Sequence, residues 1–260
     1  MSDETADTAP AHYGTAESIE DFAHNIAVVN ARIAAAAARA GRSSDEVRLL
    51  PVSKTVPEER LRNAIAAGAT FLGENKVQEA QRKSEELADI DGLRWSVIGH
   101  LQTNKAKYVA RFASEFQALD SLRLAEALDR RLETEDRTLD VFVQVNTSQE
   151  DSKFGLPPEE VSSFVAALPQ FSRLRVRGFM TLALFTPDTE RVRRCFVLLR
   201  ELRDGMRDTA PEGVSLDELS MGMSGDFETA IEEGATVVRV GQAIFGSRAT
   251  PDSLYWPTTS

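Results

Sequence analysis

Residues 49–54 read LLPVSK and residues 55–59 read TVPEE, and together they form the repeating unit of this fold. A short apolar run bounded by turn residues is typical of a buried strand. Pro57 followed by two glutamates is typical of the first turn of a helix. The stretch therefore predicts a strand that ends near Lys54 and a helix that follows it at once.

The same unit recurs along the 260 residues. Eight strands are predicted, at 48–53, 70–73, 94–98, 115–119, 140–145, 174–179, 216–220 and 236–240. The helical patterns between them lie at 57–67, 74–88, 103–112, 121–134, 158–168, 188–208 and 226–233, and a further helix, 17–40, precedes the first strand.

Strands that alternate with helices imply right-handed crossovers and a parallel sheet. Eight such units in a chain of this length predict an α/β fold, a single (β/α)8 TIM barrel with an extra N-terminal helix. An open doubly wound sheet is the alternative. It is disfavoured because no Gly-x-Gly-x-x-Gly loop follows the first strand.

The composition excludes several classes of protein. A formal net charge of −11 disfavours binding to nucleic-acid phosphates and to acidic membranes. No stretch approaches the ~18–20 apolar residues of a transmembrane helix. The single cysteine, Cys195, excludes an internal disulfide. The three histidines are scattered along the chain and do not have the spacing of zinc ligands. We therefore expect a cytoplasmic protein.

The chain is expected to form one folded unit with two loose ends. Residues 1–16 are polar and acidic and do not resemble a secretory signal, so they are interpreted as a disordered tail. Residues 17–248 are expected to form the barrel, and residues 249–260 a C-terminal extension.

Polar residues follow several of the predicted strands, where the functional groups of a barrel gather. Lys54 is the first of them, and the chain has only six lysines against twenty-four arginines. Burial at a strand end disfavours the charged form of an amine, and a neutral amine is a nucleophile towards aldehydes. The alternative is a lysine whose side chain extends into solvent.

The loops after the last two strands have features of an anion site. Residues 222–225, Gly-Met-Ser-Gly, run into a helix that begins near Asp226, and Gly241 follows the eighth strand. Glycines let backbone amides approach an anion, Ser224 adds a hydroxyl, and phosphate sites in barrels commonly use these two loops. The alternative is a helix cap by Ser224 or Asp226 and a tight turn at Gly241.

Arg239 ends an apolar strand and is expected to be half-buried, where it needs an acceptor. A carboxylate could serve, and so could the ring nitrogen of a pyridine. An amine, an arginine and a phosphate site together describe a pocket for pyridoxal 5'-phosphate (PLP).

Several motifs then resemble those of the pyridoxal-phosphate homeostasis protein family, which is related to the alanine racemase N-terminal domain. The resemblance spans residues 17–248, in motifs at 52–54 (VSK), 73–80 (GENKVQEA), 98–105 (IGHLQTNK), 146–148 (NTS, with Lys153), 177–181 (RGFMT), 221–226 (MGMSGD) and 239–241 (RVG).

The resemblance implies PLP held on Lys54 as a Schiff base, with Arg239 as the partner of the ring nitrogen. It implies phosphate contacts from Ser224, Gly241 and Gln242. Where the family commonly has a small hydroxyl residue, Gln242 has a longer amide, so its contribution is expected from the backbone.

The resemblance also implies that Asn75 lies beside the cofactor and that Met223 packs near it. Lys153 matches a lysine of the family and is either a second amine for PLP or a surface lysine. The implied function is reversible storage of PLP in intracellular PLP homeostasis and its transfer to apo PLP-dependent enzymes, by a monomer or weak dimer without catalytic turnover.

Two features favour storage over catalysis. Relatives that act on amino acids use a tyrosine from a second domain, which this chain is too short to include, and an arginine at the ring nitrogen weakens the cofactor as an electron sink. A PLP-dependent racemase or lyase of small amino acids, with His100 or Lys54 as base, is the first alternative. A cofactor-free Schiff-base aldolase acting on a phosphorylated sugar is the second.

Overall fold

The computed structural model describes residues 14–148, 150 and 154–247. The strands are β1 Arg48–Pro51, β2 Phe71–Glu74, β3 Arg94–Val97, β4 Glu115–Leu119, β5 Leu139–Gln144, β6 Leu174–Met180, β7 Val214–Ser220 and β8 Val237–Val240. The helices are α1 Ile19–Arg39, α2 Glu58–Ala66, α3 Val77–Glu86, α4 Ala106–Phe112, α5 Leu122–Thr134, α6 Val161–Ala167, α7 Thr189–Arg207, α8 Phe227–Glu232 and α9 Gln242–Phe245.

The eight strands form one parallel sheet in the order β1-β8-β7-β6-β5-β4-β3-β2. A parallel bridge between Val52 and Gly73 joins the two ends of that order, and the amide of Ser53 donates to the carbonyl of Gly73 at 3.0 Å. The sheet is therefore a nearly closed (β/α)8 barrel, and the predicted fold is confirmed.

The N-terminal helix α1 covers the last two units of the barrel from outside. Ser18 begins it with a capping box shared with Asp21. Its buried face carries Phe22, Val29 and Ile33 at helical spacing, and it packs against α8 and α9. The outermost helix thus rests on the two elements that border the end of β8.

Two local differences from the sequence prediction affect the site. The helix predicted from residue 74 begins at Val77, because β2 continues to Glu74, whose side chain is fully buried. The short helix α9 was not predicted, since four residues between Gly241 and Gly246 give no periodic pattern. Gln242 is therefore the first residue of a helix.

Most of the predicted tail, the whole predicted extension and Lys153 lie outside the described residues. In the described part, Cys195 is buried in α7, as expected of a structural cysteine. No helix there is long and apolar enough to cross a membrane. Nor do the described side chains include a cluster suited to a metal ion.

Candidate functional site

A cavity of about 640 Å³ opens at the carboxyl ends of the strands. It is lined by every residue that the sequence analysis proposed for the cofactor, and by His100: Lys54, Asn75, Met223, Ser224, Arg239, Gly241 and Gln242. Residues that are up to 188 positions apart in the chain, from Lys54 to Gln242, therefore meet in one place. The volume lies within the range of small-molecule sites.

Lys54 lies two residues beyond the bridge that closes the barrel. It is half-buried, between the fully buried Ser53 and the exposed Thr55. Lys54 also lines a second, smaller cavity of about 280 Å³ on the side of Arg60 and Phe245. Lys54 therefore contributes to the walls of both cavities.

The loop after β7 requires glycine at its first position. Gly222 has φ of +94°, and a Cβ there would lie 2.7 Å from the Cβ of Ala230 and 2.8 Å from the Cα of Phe227. Asp226 does not cap α8 with its side chain. Its carboxylate instead accepts from the amide of Met223 at 2.5 Å, which folds the loop back on itself.

The two loops of the predicted anion site are bonded to each other. The amide of Gly241 donates to the hydroxyl oxygen of Ser224 at 3.2 Å. The prediction that both loops border one site is consistent with this contact. In this structure the Gly241 amide is used in a hydrogen bond to Ser224, and its contact with a phosphate stays a prediction. The Ser224 hydroxyl keeps its own proton to donate.

Burial raises the pKa of the Asp226 carboxyl, and the bond from Met223 and the charge of Arg239 oppose that rise. This carboxylate and this guanidinium therefore interact electrostatically at the base of the loop.

Arg239 is more buried than the sequence predicted, with 3% of its surface exposed. Its acceptors are not the carboxylate that the sequence analysis considered. One Nη atom donates to the hydroxyl of Ser220 and the other to the carbonyl of Thr181, each at 2.7 Å. Burial lowers the pKa of the guanidinium to about 10, against the opposing charges of Asp226 and Glu115. Arg239 therefore remains a cation at neutral pH.

A chain of hydrogen bonds runs from Arg239 through the barrel interior, and we call it the polar column (Arg239, Ser220, Gln117, Glu115 and Arg48). The Ser220 hydroxyl donates to Oε1 of Gln117 at 2.7 Å. The Gln117 amide donates to Glu115 at 2.6 Å, and Arg48 donates to the same carboxylate, also at 2.6 Å. The column links the cavity to the opposite end of the barrel.

Gln117→Leu should break the polar column at its centre. Leucine fills a similar volume but leaves the Ser220 hydroxyl without its acceptor and Glu115 without one donor. We expect the free energy of unfolding to fall by about 1–3 kcal/mol. Urea unfolding measures it, and Gln170→Leu on the exposed surface is the matched control. Equal unfolding midpoints for the two variants would contradict this account of the column.

His100 lines the same cavity and contacts two side chains, Phe154 and Asp120. Its ring stacks on Phe154 with centroids 3.9 Å apart, and its Nδ1 lies 3.6 Å from Oδ2 of Asp120. Burial raises the pKa of Asp120, and the charge of His100 opposes the rise. The prediction that His100 reaches the site is consistent with this geometry.

Sequence reasoning missed the residues that support the site from below. Gln117, Ser220 and Glu115 lie inside strands. Alternation within β4 places Glu115 and Gln117 on one face, which was the available signal. Asp120 directly follows β4, and the sequence did not reveal its pairing with His100 because that contact depends on how two loops fold.

Comparisons with known proteins identify the family of the chain. The family model described as alanine racemase, N-terminal domain, matches residues 18–249. The pyridoxal phosphate homeostasis protein of Escherichia coli (strain K12) is 41% identical over 232 residues, covering 88% of this chain and 98% of that protein. Its counterpart from Pseudomonas aeruginosa is 43% identical over 227 residues, covering 87% and 96%.

A solved structure is also similar. PipY of Synechococcus elongatus PCC7942, with PLP bound, matches with a TM-score of 0.76 and 33% identity, covering 86% of this chain and all of that chain. The family model and the curated relatives each extend over most of the sequence. The chain therefore belongs to the alanine racemase N-terminal domain family and, within it, to the pyridoxal phosphate homeostasis proteins.

Proposed function

We propose that this protein binds PLP covalently on Lys54 and serves in PLP homeostasis without catalytic turnover. The observation that carries the proposal is the meeting of Lys54, Arg239 and the Ser224 loop in one cavity. Three kinds of group are needed for PLP, and three are present. A relative that is 33% identical has been solved with PLP bound, which supports the same assignment.

The residues present fit the chemistry of PLP. The amine of Lys54 suits the aldehyde, and Arg239 offers a fixed cation for the ring nitrogen. Ser224 and the backbone near Gly241 offer donors for the phosphate. Apolar side chains of Val52 and Ile98 in the same lining suit the faces of the ring.

The phosphate contacts require one exchange of partners. The Gly241 amide now bonded to Ser224 would turn to a phosphate oxygen, with the Ser224 hydroxyl donating beside it. Gln242 begins α9 and lines the cavity next to Gly241. We propose that its backbone, rather than its long side chain, contacts the phosphate.

When bound, PLP would supply an aldehyde, a group that reacts with a neutral primary amine with loss of one water. Lys54 supplies that amine. Arg239 would donate to the ring nitrogen, and with a pKa of about 10 it keeps its own proton at neutral pH. A ring nitrogen left unprotonated is a weak electron sink, which supports storage of PLP over chemistry on amino acids.

A PLP-dependent racemase or lyase is the second candidate, and one observation favours it. His100 faces the cavity that Lys54 lines, with the Asp120 carboxylate 3.6 Å from its ring, and a histidine oriented by a carboxylate is a common acid–base arrangement. Incubation of PLP-loaded protein with D- and L-alanine in heavy water decides between the two. Sustained α-deuterium exchange would support the enzyme, and its absence supports the carrier.

Reductive trapping tests the carrier directly. The protein is incubated with PLP, treated with borohydride and digested, and the phosphopyridoxyl label is located among its six lysines by mass spectrometry. We expect the label on Lys54. A label absent from Lys54, with wild-type protein folded, would overturn the proposal.

The partners and place of action follow from the same proposal. We propose that the acceptors are apo PLP-dependent enzymes, that the protein acts in the cytoplasm, and that it works as a monomer or weak dimer. The barrel would comprise residues 17–248 with the flanking segments outside it.

A further inference from the structure

A fully buried lysine lies directly behind the Lys54 segment. Lys83, on α3, has no exposed surface. Its Nζ donates to the Ser53 carbonyl at 2.8 Å, to Oε1 of Glu74 at 2.6 Å and to Oε1 of Glu79 at 2.9 Å. All three protons of the ammonium group are thus used, and one is used on the residue that precedes Lys54.

The two carboxylates also bond to the residues on either side of Lys54. Oε1 of Glu74 also accepts from the Ser53 hydroxyl at 2.7 Å. Oε1 of Glu79 accepts from the backbone amide of Thr55 at 2.9 Å. The residues immediately before and after Lys54 are therefore both bonded to this cluster, which we call the Lys83 clamp (Lys83, Glu74 and Glu79).

The backbone at Thr55 needs such support. Thr55 has φ of +66°, a left-handed conformation that is unfavourable for a β-branched residue by roughly 1–2 kcal/mol. Strained conformations persist only where their surroundings fix them. Two bonds hold this conformation: the Thr55 amide donates to Glu79, and the Val56 amide donates to the Ser53 carbonyl at 3.0 Å and closes the turn.

The clamp is not explained by stability alone. A buried ion pair stabilises a fold little in comparison with an apolar replacement, because burial removes the hydration of its charges. Here Oε2 of Glu74 has no hydrogen-bond partner among the described residues, and burial raises the pKa of that carboxyl. The arrangement is thus imperfect as an ion pair, while its bonds converge on residues 53 and 55.

We propose that the Lys83 clamp is the positioning device that presents the Lys54 amine to the cavity. Its members act through the backbone of Ser53 and Thr55, since Lys83 has no exposed surface from which to reach a ligand. This inference rests on the proposed function, in which Lys54 is the reacting amine. It assigns to Lys83 the role of preorganising a nucleophile, which is worth large factors in rate.

The test compares Lys83→Met and Glu79→Ala with wild type, first without PLP. We expect hydrogen exchange at the Thr55 amide to accelerate at least about tenfold in both variants, because the bond that protects it is lost or loosened. Glu79→Gln keeps an acceptor at this position and should restore most of the protection. Glu79 is only partly buried, so its variants keep the test usable if Lys83→Met does not fold.

The second readout is the rate at which PLP is captured, followed by borohydride trapping. We expect it to fall at least about tenfold in Lys83→Met and Glu79→Ala, since misplacement of a reacting group by about 1 Å costs up to about 100-fold. Arg200→Met is the control, because Arg200 bonds to Glu233 on the far side of the barrel wall. It should lose stability without slower capture.

The outcomes separate the two proposals. If wild type itself gives no label on Lys54, the proposed function fails. If wild type is labelled and both clamp variants capture PLP at its rate with an unchanged Thr55 amide, the clamp is only structural and the inference is overturned. Slower capture in both variants, with recovery in Glu79→Gln, supports it.

Discussion

Lys54→Ala should lose the borohydride-stable label carried at position 54 and bind PLP in the cavity at least about 100-fold more weakly, a change of about 3 kcal/mol. The physical reason is the loss of a covalent bond that no other group in the cavity is expected to replace. Lys54 is half-buried at a strand end. We therefore expect the free energy of unfolding without PLP to stay within about 0.5 kcal/mol of wild type. Equilibrium dialysis measures the affinity for PLP, and the mass of the protein after borohydride reduction shows whether the label is present.

Lys76→Ala is the matched control, because Lys76 is a second lysine in the lining of the same cavity. It should keep the label and the affinity. If Lys76→Ala lost the label and Lys54→Ala kept it, the reacting amine would have been assigned to the wrong lysine.

Gly99→Ala should be among the most destabilising single changes in the molecule. A Cβ at Gly99 would lie 2.1 Å from the carbonyl oxygen of Asn75 and 2.9 Å from its carbonyl carbon. These are backbone atoms, so one of the two strand ends must move. We expect a loss of about 3 kcal/mol in urea unfolding, at the upper end for overpacking. We also expect weaker PLP binding, because Asn75 would be displaced from the cavity wall.

Gly205→Ala makes the same chemical change in open space and serves as the comparison. Gly205 lies on the exposed side of α7, and a Cβ there meets no atom within 4 Å. Alanine in a helix should raise stability by about 0.5–1 kcal/mol. A Gly99→Ala protein as stable as wild type would show that the approach of the β2 and β3 ends is not tight.

The repeating unit that begins with LLPVSK was sufficient to predict the barrel. Most strands are short with an apolar majority, and several helices are followed by a glycine, as at Gly41, Gly68 and Gly234, so local patterns and global fold agree. The predicted element boundaries were wrong where a buried side chain extends a strand beyond its apolar residues. Glu74 extends β2 because its carboxylate has buried partners in Ser53 and Lys83, and no pattern of single residues reveals such a pairing.

The lining of the cavity was also predictable, because strand ends of a barrel converge by topology. The contacts within it were not. Whether Gly241 bonds to Ser224, or Arg239 to Ser220, depends on distances between segments far apart in the chain. The Lys83 clamp was missed for the same reason. In the sequence Lys83 has the pattern of a surface lysine on a helix, and its burial depends on how α3 packs against the barrel.

The polar column has a consequence for how freely this site can be altered. Glu115 is held by Arg48 and by the Ser96 hydroxyl as well as through Gln117, so its negative charge does not depend on Arg239. Exchanging Arg239 for a neutral residue would leave Glu115 paired, but it would remove the positive charge that opposes the burial of the Asp226 carboxylate. A substitution at position 239 is therefore expected to act first on Asp226 and the loop after β7, and less on the opposite end of the barrel.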